Sequence, residues 1–267
     1  MVSRSIDIYD KISIGDLVVY SFYLVGGIYL CWKHGLARSA GFRFLVILSL
    51  ARLIGESMRL ASIHDAYNKN LYIGWMVTNS MGLGPLVLML VGLLSRAFDS
   101  IHRNGPIILK PLYRRIVEAL MAVALILLLV GGTQSKYNAS GSTITIHYNS
   151  LSRVGIILMI VVTVLLLIEL FLAWCNRQYI VPSEKLILPA VAVSMPLIIV
   201  RLTYSCLRIL DDSTYSAWVM LGMDVIMEFI VCLIVEIAGF ALDKAPEQPK
   251  QDDEEGYIRM GLEVGRR

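Results

Sequence analysis

Long apolar runs, each about as long as a helix needs to cross a bilayer, recur seven times along the chain and are separated by short polar or basic stretches. They run from Asp16 to Trp32, Phe42 to Ile63, Leu71 to Ser95, Ile116 to Thr133, Val154 to Cys175, Leu186 to Ile209 and Ala217 to Leu242. Backbone groups in lipid must pair within their own segment, so each run predicts a helix. Together they predict an all-α polytopic bundle of seven transmembrane helices over residues 1–242. The remaining stretch, 243–267, carries Pro246, Pro249 and the acidic run from Asp252 to Glu255, and its composition predicts a disordered tail. Between the fourth and fifth runs, the segment from Gln134 to Ser152 is rich in Ser, Thr, Asn and Tyr, and its Ser142 to Tyr148 part predicts a short hairpin arm.

Composition agrees with this division. Of 267 residues, 57% are hydrophobic and 17% charged, and the mean hydropathy is +0.67, too apolar for a soluble domain of this size. The net charge of +3 is small, and the basic residues gather in particular loops, which excludes nucleic-acid binding and reports topology instead. Lys33, Arg38 and Arg43 lie in the first loop, Arg96, Arg103, Lys110, Arg114 and Arg115 in the third, Arg177 and Lys185 in the fifth, and Lys244 and Lys250 after the last run. The positive-inside rule then places the N-terminus outside and the C-terminal tail in the cytosol. The first run lacks a small-residue cleavage site and is expected to stay in the mature protein. The sequon Asn138-Ala139-Ser140 falls in the fourth loop, on the side where glycosylation occurs, so Asn138 is the candidate glycan acceptor. The endoplasmic reticulum and the plasma membrane both fit. Cys31, Cys175, Cys206 and Cys232 form no CxxC pair and no His/Cys cluster, so neither a metal nor another cofactor is expected. Cys31 and Cys175 stand where a lipid could be attached, although packing is the commoner use of such residues.

Ionisable residues at helical spacing inside two of the runs carry most of the chemical content: Arg52, Glu56 and Arg59 in the second, Asp224 and Glu228 in the seventh. A charge at membrane depth is costly unless it faces a partner or a wet cavity. Counting 1.5 Å per residue places Glu56 and Asp224 roughly 10 Å below the outer surface, with Arg201 and Asn79 near 12 Å. Arg52 and Glu228 fall one turn deeper, at roughly 16 Å, each on the same helix face as the outer member of its pair. Gly82, Gly84, Pro85, Pro189 and Pro196 lie near this zone, and bends there open space for side chains or water. The pattern predicts a polar pocket in the outer half of the bundle. Its candidate acids are Glu56, Asp224 and Glu228, and its candidate substrate contacts are Arg52, Asn79, Arg201 and Tyr204. Salt bridges that only fix helix register would use the same residues.

Other marked residues read as framework. Glu169 and Glu236 lie toward the inner ends of their runs; Arg59 and Arg208 can reach the outer surface; Trp32, Trp75, Trp174 and Trp218 suit interface anchors. His34, His64, His102 and His147 fall in loops, and the methionines from Met220 to Met227 suit adaptable packing.

The segments Ala51-Arg52-Leu53-Ile54-Gly55-Glu56, Gly82-Leu83-Gly84-Pro85-Leu86, Pro196 to Tyr204 and Met227-Glu228-Phe229 resemble those of a fungal family of seven-helix integral membrane proteins without an assigned domain function. That resemblance covers nearly all of the membrane region and implies the fold and a fungal setting, often near secondary-metabolite genes. More weakly, the chain is similar in length and helix count to the membrane-embedded terpene cyclases of fungal meroterpenoid pathways. Those enzymes rely on an acid in an early helix and another in the last, and Glu56 and Asp224 fall at comparable places. Three functions stay open: acid-initiated cyclisation of a prenylated substrate, translocation of a lipid or amphipathic metabolite, and a seven-helix receptor, for which the loops are short. The first two imply a lipophilic small molecule and membrane lipid as partners, and the oligomeric state is not readable.

Overall fold

The computed structural model describes residues 6–35, 41–64, 69–105, 111–140, 143–211 and 216–242. The acidic tail expected over 243–267 lies outside them. Helix α1 (Ile8–His34) is followed by α2 (Phe42–His64), α3 (Lys69–Met81), α4 (Leu83–Asn104) and α5 (Pro111–Thr133). A hairpin of β1 (Lys136–Ser140) and β2 (Thr143–His147) then leads to α6 (Ser150–Cys175) and α7 (Ile187–Leu210). The last stretch joins α8 (Ala217–Met220), a π-helical segment (Leu221–Val225) and α9 (Ile226–Ala241). Among the described residues, six helical stretches are long and apolar enough to cross a membrane, and α2 is the long helix outside that set. Its length matches theirs, but Arg43, Arg52, Glu56 and Arg59 make it too charged to qualify by composition.

Helix α1 starts eight residues before the run predicted from Asp16. Asp7 and Asp10 form a reciprocal capping box that satisfies backbone donors at the N-terminus, so the helix begins in sequence that hydropathy alone assigns to a polar lead. The inward face of α1 carries Asp10, Ser13, Asp16, Tyr20, Tyr23, Leu30 and His34, while Val18, Phe22, Val25 and Trp32 point outward. Polar residues inside and apolar residues outside invert the soluble pattern, as expected where lipid is the solvent. Helix α2 repeats the inversion, with Ser49, Arg52, Glu56 and Arg59 inside and Ile47, Leu50 and Ile54 outside.

The third predicted run is two helices. Gly82 interrupts it, its N–H bonding back to the Asn79 carbonyl, and Pro85 sits in the first turn of α4, where its missing N–H leaves no partner unsatisfied. Helix α4 is the axis of the bundle. In the 18-residue apolar window of the span containing it 89% of the residues are buried, against 33–44% in the corresponding windows of the other five, and it touches α2, α3, α5, α6, α7 and α9. Leu86, Val87, Met89, Leu90 and Leu94 form the middle of the main apolar core. Helix α1 packs on α2 and α9, α5 on α6, and α7 on α6 and α9.

The hairpin is larger than the predicted arm, pairing Lys136–Ser140 with Thr143–His147, and Asn138 faces Thr145 across it. Far from the hairpin, Arg96 Nε of α4 donates to Glu184 Oε1 at 2.9 Å, and His34 stacks on Phe42 with its Nε2 3.0 Å from the Gly239 carbonyl. His34 is thus a buried helix residue, not a loop residue. Cys31 is buried as well, which removes it as a lipid attachment point, whereas Cys175 is exposed.

Candidate functional site

Each helix that meets the upper core delivers its polar side chain by periodicity. Asp16 and Tyr20 are one turn apart on α1, Arg52 and Glu56 one turn apart on α2, and Asp224 and Glu228 one turn apart across the junction of the π-helical segment with α9. Asn79 stands at the end of α3 beside the Gly82 break, and Arg201 follows Pro196 inside α7. The π-helical turn surrounds Asp224, and such turns concentrate at functional sites.

Glu228 is the hub. It is fully buried; Arg52 donates to it twice, from Nε to Oε1 at 2.8 Å and from Nη2 to Oε2 at 2.6 Å. Tyr20 donates its hydroxyl to Oε1, and Arg201 Nη1 forms an ion pair with Oε2. Arg201 Nη2 also pairs with Asp224 Oδ1 at 3.1 Å, and Arg52 Nη1 donates to Asn79 Oδ1. The structure thus gathers Arg52, Asn79, Arg201, Asp224 and Glu228 into one network across α2, α3, α7 and the last span. Gly82 makes room for it: a Cβ there would lie 2.6 Å from Arg201 Nη2, 2.8 Å from Arg52 Nη2 and 2.9 Å from Glu228 Oε2. Replacing Gly82 with alanine is expected to cost about 1–3 kcal/mol, because groups held by mutual ion pairs cannot step aside freely. Thermal unfolding in detergent measures it, and an unchanged midpoint would contradict this packing.

Glu56 is buried but stands outside the network. Trp75 Nε1 donates to its Oε2 at 3.1 Å, and among the described residues no cation pairs with it. Asp16, 3% exposed, has neither a hydrogen bond nor an ion pair to its carboxylate among the described residues, although Arg52, Glu56, Asp224 and Arg201 are near enough to act on it electrostatically. Four buried acids, Asp16, Glu56, Asp224 and Glu228, therefore face two guanidiniums, Arg52 and Arg201. Two carboxyls are in excess.

Several expectations change. Arg59 does not reach out to the surface; it is buried, donates from Nε to Asp10 Oδ1 at 2.9 Å, and stands 4.6 Å above the Trp75 ring, with Tyr9 and Tyr72 beside it. Pairing plus cation–π contact replaces hydration. Trp75 is buried rather than an interface anchor, whereas Trp32 and Trp218 are well exposed. Tyr204 lies in a second apolar cluster with Trp75, Met220 and Val225. Arg208 lines a cavity of about 20 Å³ together with Asp224, Asn79 and Tyr204 instead of pointing outward. Glu169 is buried within α6. Asp10, Asp16, Tyr20 and Trp75 are the residues that sequence reasoning left out, and the three- and four-residue spacing of Asp10, Ser13, Asp16, Tyr20 and Tyr23 is the signal that finds those on α1. Among the described residues, no three His, Cys, Asp or Glu side chains are arranged to hold a metal ion.

No curated protein matches this chain. A family model described as a domain of unknown function, DUF7702, matches residues 6–245, a stretch that includes every helix of the bundle and the whole buried network. The chain belongs to the DUF7702 family.

Proposed function

We propose that this multi-pass membrane protein acts on a lipophilic metabolite, with the Glu56 carboxyl as the acid that starts cyclisation of a prenylated substrate. One observation carries the reading: Glu56 is buried against a neutral indole donor and, among the described residues, makes no ion pair, in a layer where carboxyls outnumber guanidiniums. A general acid is a positioned carboxyl free to exchange a proton with substrate, and Glu56 is a buried acid of this layer with no ion pair among the described residues. Glu228 and Asp224, each ion-paired with arginine, leave that role to Glu56. In the step proposed, Glu56 gives its proton to an epoxide oxygen and the carbon–oxygen bond breaks toward oxygen. The π pair of a neighbouring alkene forms the ring bond, and the final cation loses a proton to the Glu56 carboxylate, which restores the acid. The net change is an isomerisation, so no co-reactant is required.

In this reading α2 is the seventh span. Its three deep charges are all matched by groups on neighbouring helices or buried against them, which removes the objection from composition. The N-terminus lies outside, the C-terminus in the cytosol, and Asn138 carries a glycan in the endoplasmic reticulum or plasma membrane. Asn138→Gln is expected to abolish an endoglycosidase-sensitive shift of the wild-type band. A wild-type band that the enzyme leaves unmoved would remove this support for the orientation.

Membranes containing the protein, supplied with a prenylated epoxide, test the chemistry directly: a cyclised product is expected, and none from a panel of chain lengths would overturn it. A second reading, translocation of an amphipathic metabolite, is favoured by Arg201 Nε, which is buried and has no acceptor among the described residues. Metabolite profiles after gene deletion separate the two. An uncyclised precursor supports the enzyme, and a finished product trapped inside cells supports the carrier.

A further inference from the structure

Charge is distributed unevenly around the polar layer. Acids are in surplus beside α1 and α2, whereas a further guanidinium, that of Arg208, stands where α3 and α7 meet the π-helical segment. There the half-buried Arg208 lines the small cavity, and among the described residues it has no hydrogen bond or ion pair. Asp224 lies in the same cavity, but it is already paired with Arg201 at 3.1 Å. Arg201, which also pairs with Glu228, and Arg208 thus both stand beside Asp224.

A second donor points the same way. Asn79 is 4% exposed, and its Oδ1 accepts from Arg52, which fixes the orientation of the amide. Its Nδ2 is then committed to the other side, where it is buried and has no acceptor. An orphaned buried donor is costly, and natural structures rarely keep one without a partner that fills the role. Asn79 and Arg208 both line this void, and both offer donors.

The void has about 20 Å³, room for one or two water-sized groups. That suits the two oxygens of a carboxylate and is too small for a ring or a branched phosphate ester. Leu128 of α5 and Ile156 of α6 supply apolar walls on one side, while Ser205 of α7 adds a hydroxyl. Arginine and carboxylate form charge-assisted hydrogen bonds of the strong class. We infer that this cavity binds the carboxylate head of a lipophilic acid, whose hydrocarbon body extends toward the bilayer. The site is distinct from Glu56, and its occupancy does not depend on whether cyclisation takes place.

The test uses the full chain in phosphatidylcholine nanodiscs and radiolabelled oleate as the probe. Saturable binding is expected, displaced by unlabelled oleate but not by oleyl alcohol, which has the same tail without charge, nor by acetate, which has the head without the tail. Arg208→Gln is expected to weaken binding at least about tenfold, the worth of one charge-assisted bond. Ser205→Leu fills the cavity while leaving every charge in place and is expected to abolish binding, so the result stands even if the arginine variant misfolds. Absence of saturable oleate binding to the wild type would overturn the inference, because the cavity would then hold water only. Equal displacement by oleyl alcohol, or oleate binding untouched by both variants, would overturn it too. Each of these readouts is a binding measurement, so the inference can fail while the cyclisation reading stands, and the reverse.

Discussion

Glu228→Leu is expected to lower the free energy of unfolding by about 3–5 kcal/mol, the usual cost of stripping one partner from a buried ion cluster. The loss arises because Arg52 keeps only Asn79, Arg201 keeps only Asp224, and the Tyr20 hydroxyl is left without its acceptor, in a layer where Glu228 is fully buried. Denaturation in mixed micelles reads the change directly, and a variant as stable as the wild type would mean that these side chains do not meet. Removing Glu228 together with both arginines is a different experiment. Where a buried triad is replaced by apolar residues of similar volume, stability is often kept or raised. A variant with Arg52→Met, Arg201→Met and Glu228→Leu is therefore expected to recover much of what the single change loses. If it folds well but no longer works, the cluster is there for function and not for register alone.

Glu56→Gln is expected to reduce cyclisation by about 10²–10⁴-fold, the range attributed to a positioned general acid. Glutamine keeps the shape and can still accept the Trp75 indole hydrogen bond, but it has no proton to give. No cation loses a partner, so stability should change little, and this separates the variant from Glu228→Leu. Comparing turnover with the unfolding midpoint of the same sample makes the distinction. Turnover equal to the wild type, with product otherwise confirmed, would take the acid role away from Glu56.

Much of the network is legible in the sequence because helical spacing and membrane depth constrain it strongly. Arg52 four residues from Glu56, Asp224 four from Glu228, and Arg201 on a proline-containing helix are enough to expect pairing between spans, and the structure joins Arg52, Arg201, Asp224 and Glu228. Which acid is left over is not legible. That depends on rotamers and on which helix stands next to which, and it takes coordinates to see Glu56 turn to Trp75 rather than to an arginine.

The misses have physical causes. A hydropathy window ends where polar residues begin, so Asp16 looks like the edge of a span, when α1 starts earlier and turns Asp10, Ser13 and Asp16 inward. Arg59 and Trp75 are residue types that usually sit at an interface, and their mutual stacking depends on α2 and α3 lying side by side. The interruption at Gly82 was visible as an accumulation of glycine and proline, but the reason for it, room for three charged side chains at the helix break, belongs to the tertiary structure.

The charges of α2 also bear on how the protein is made. If α2 is the seventh span proposed above, each ionised residue at its centre adds about 2.5–3.5 kcal/mol to the cost of leaving the translocon for lipid, so partners on other helices favour its insertion. Asp10, synthesised earlier, is at hand for Arg59. Arg52 has to wait for Glu228, which lies 176 positions further along the chain. A nascent polypeptide is therefore electrically incomplete until its final helix emerges from the ribosome, and a product truncated before that point would present uncompensated arginines to the degradation machinery.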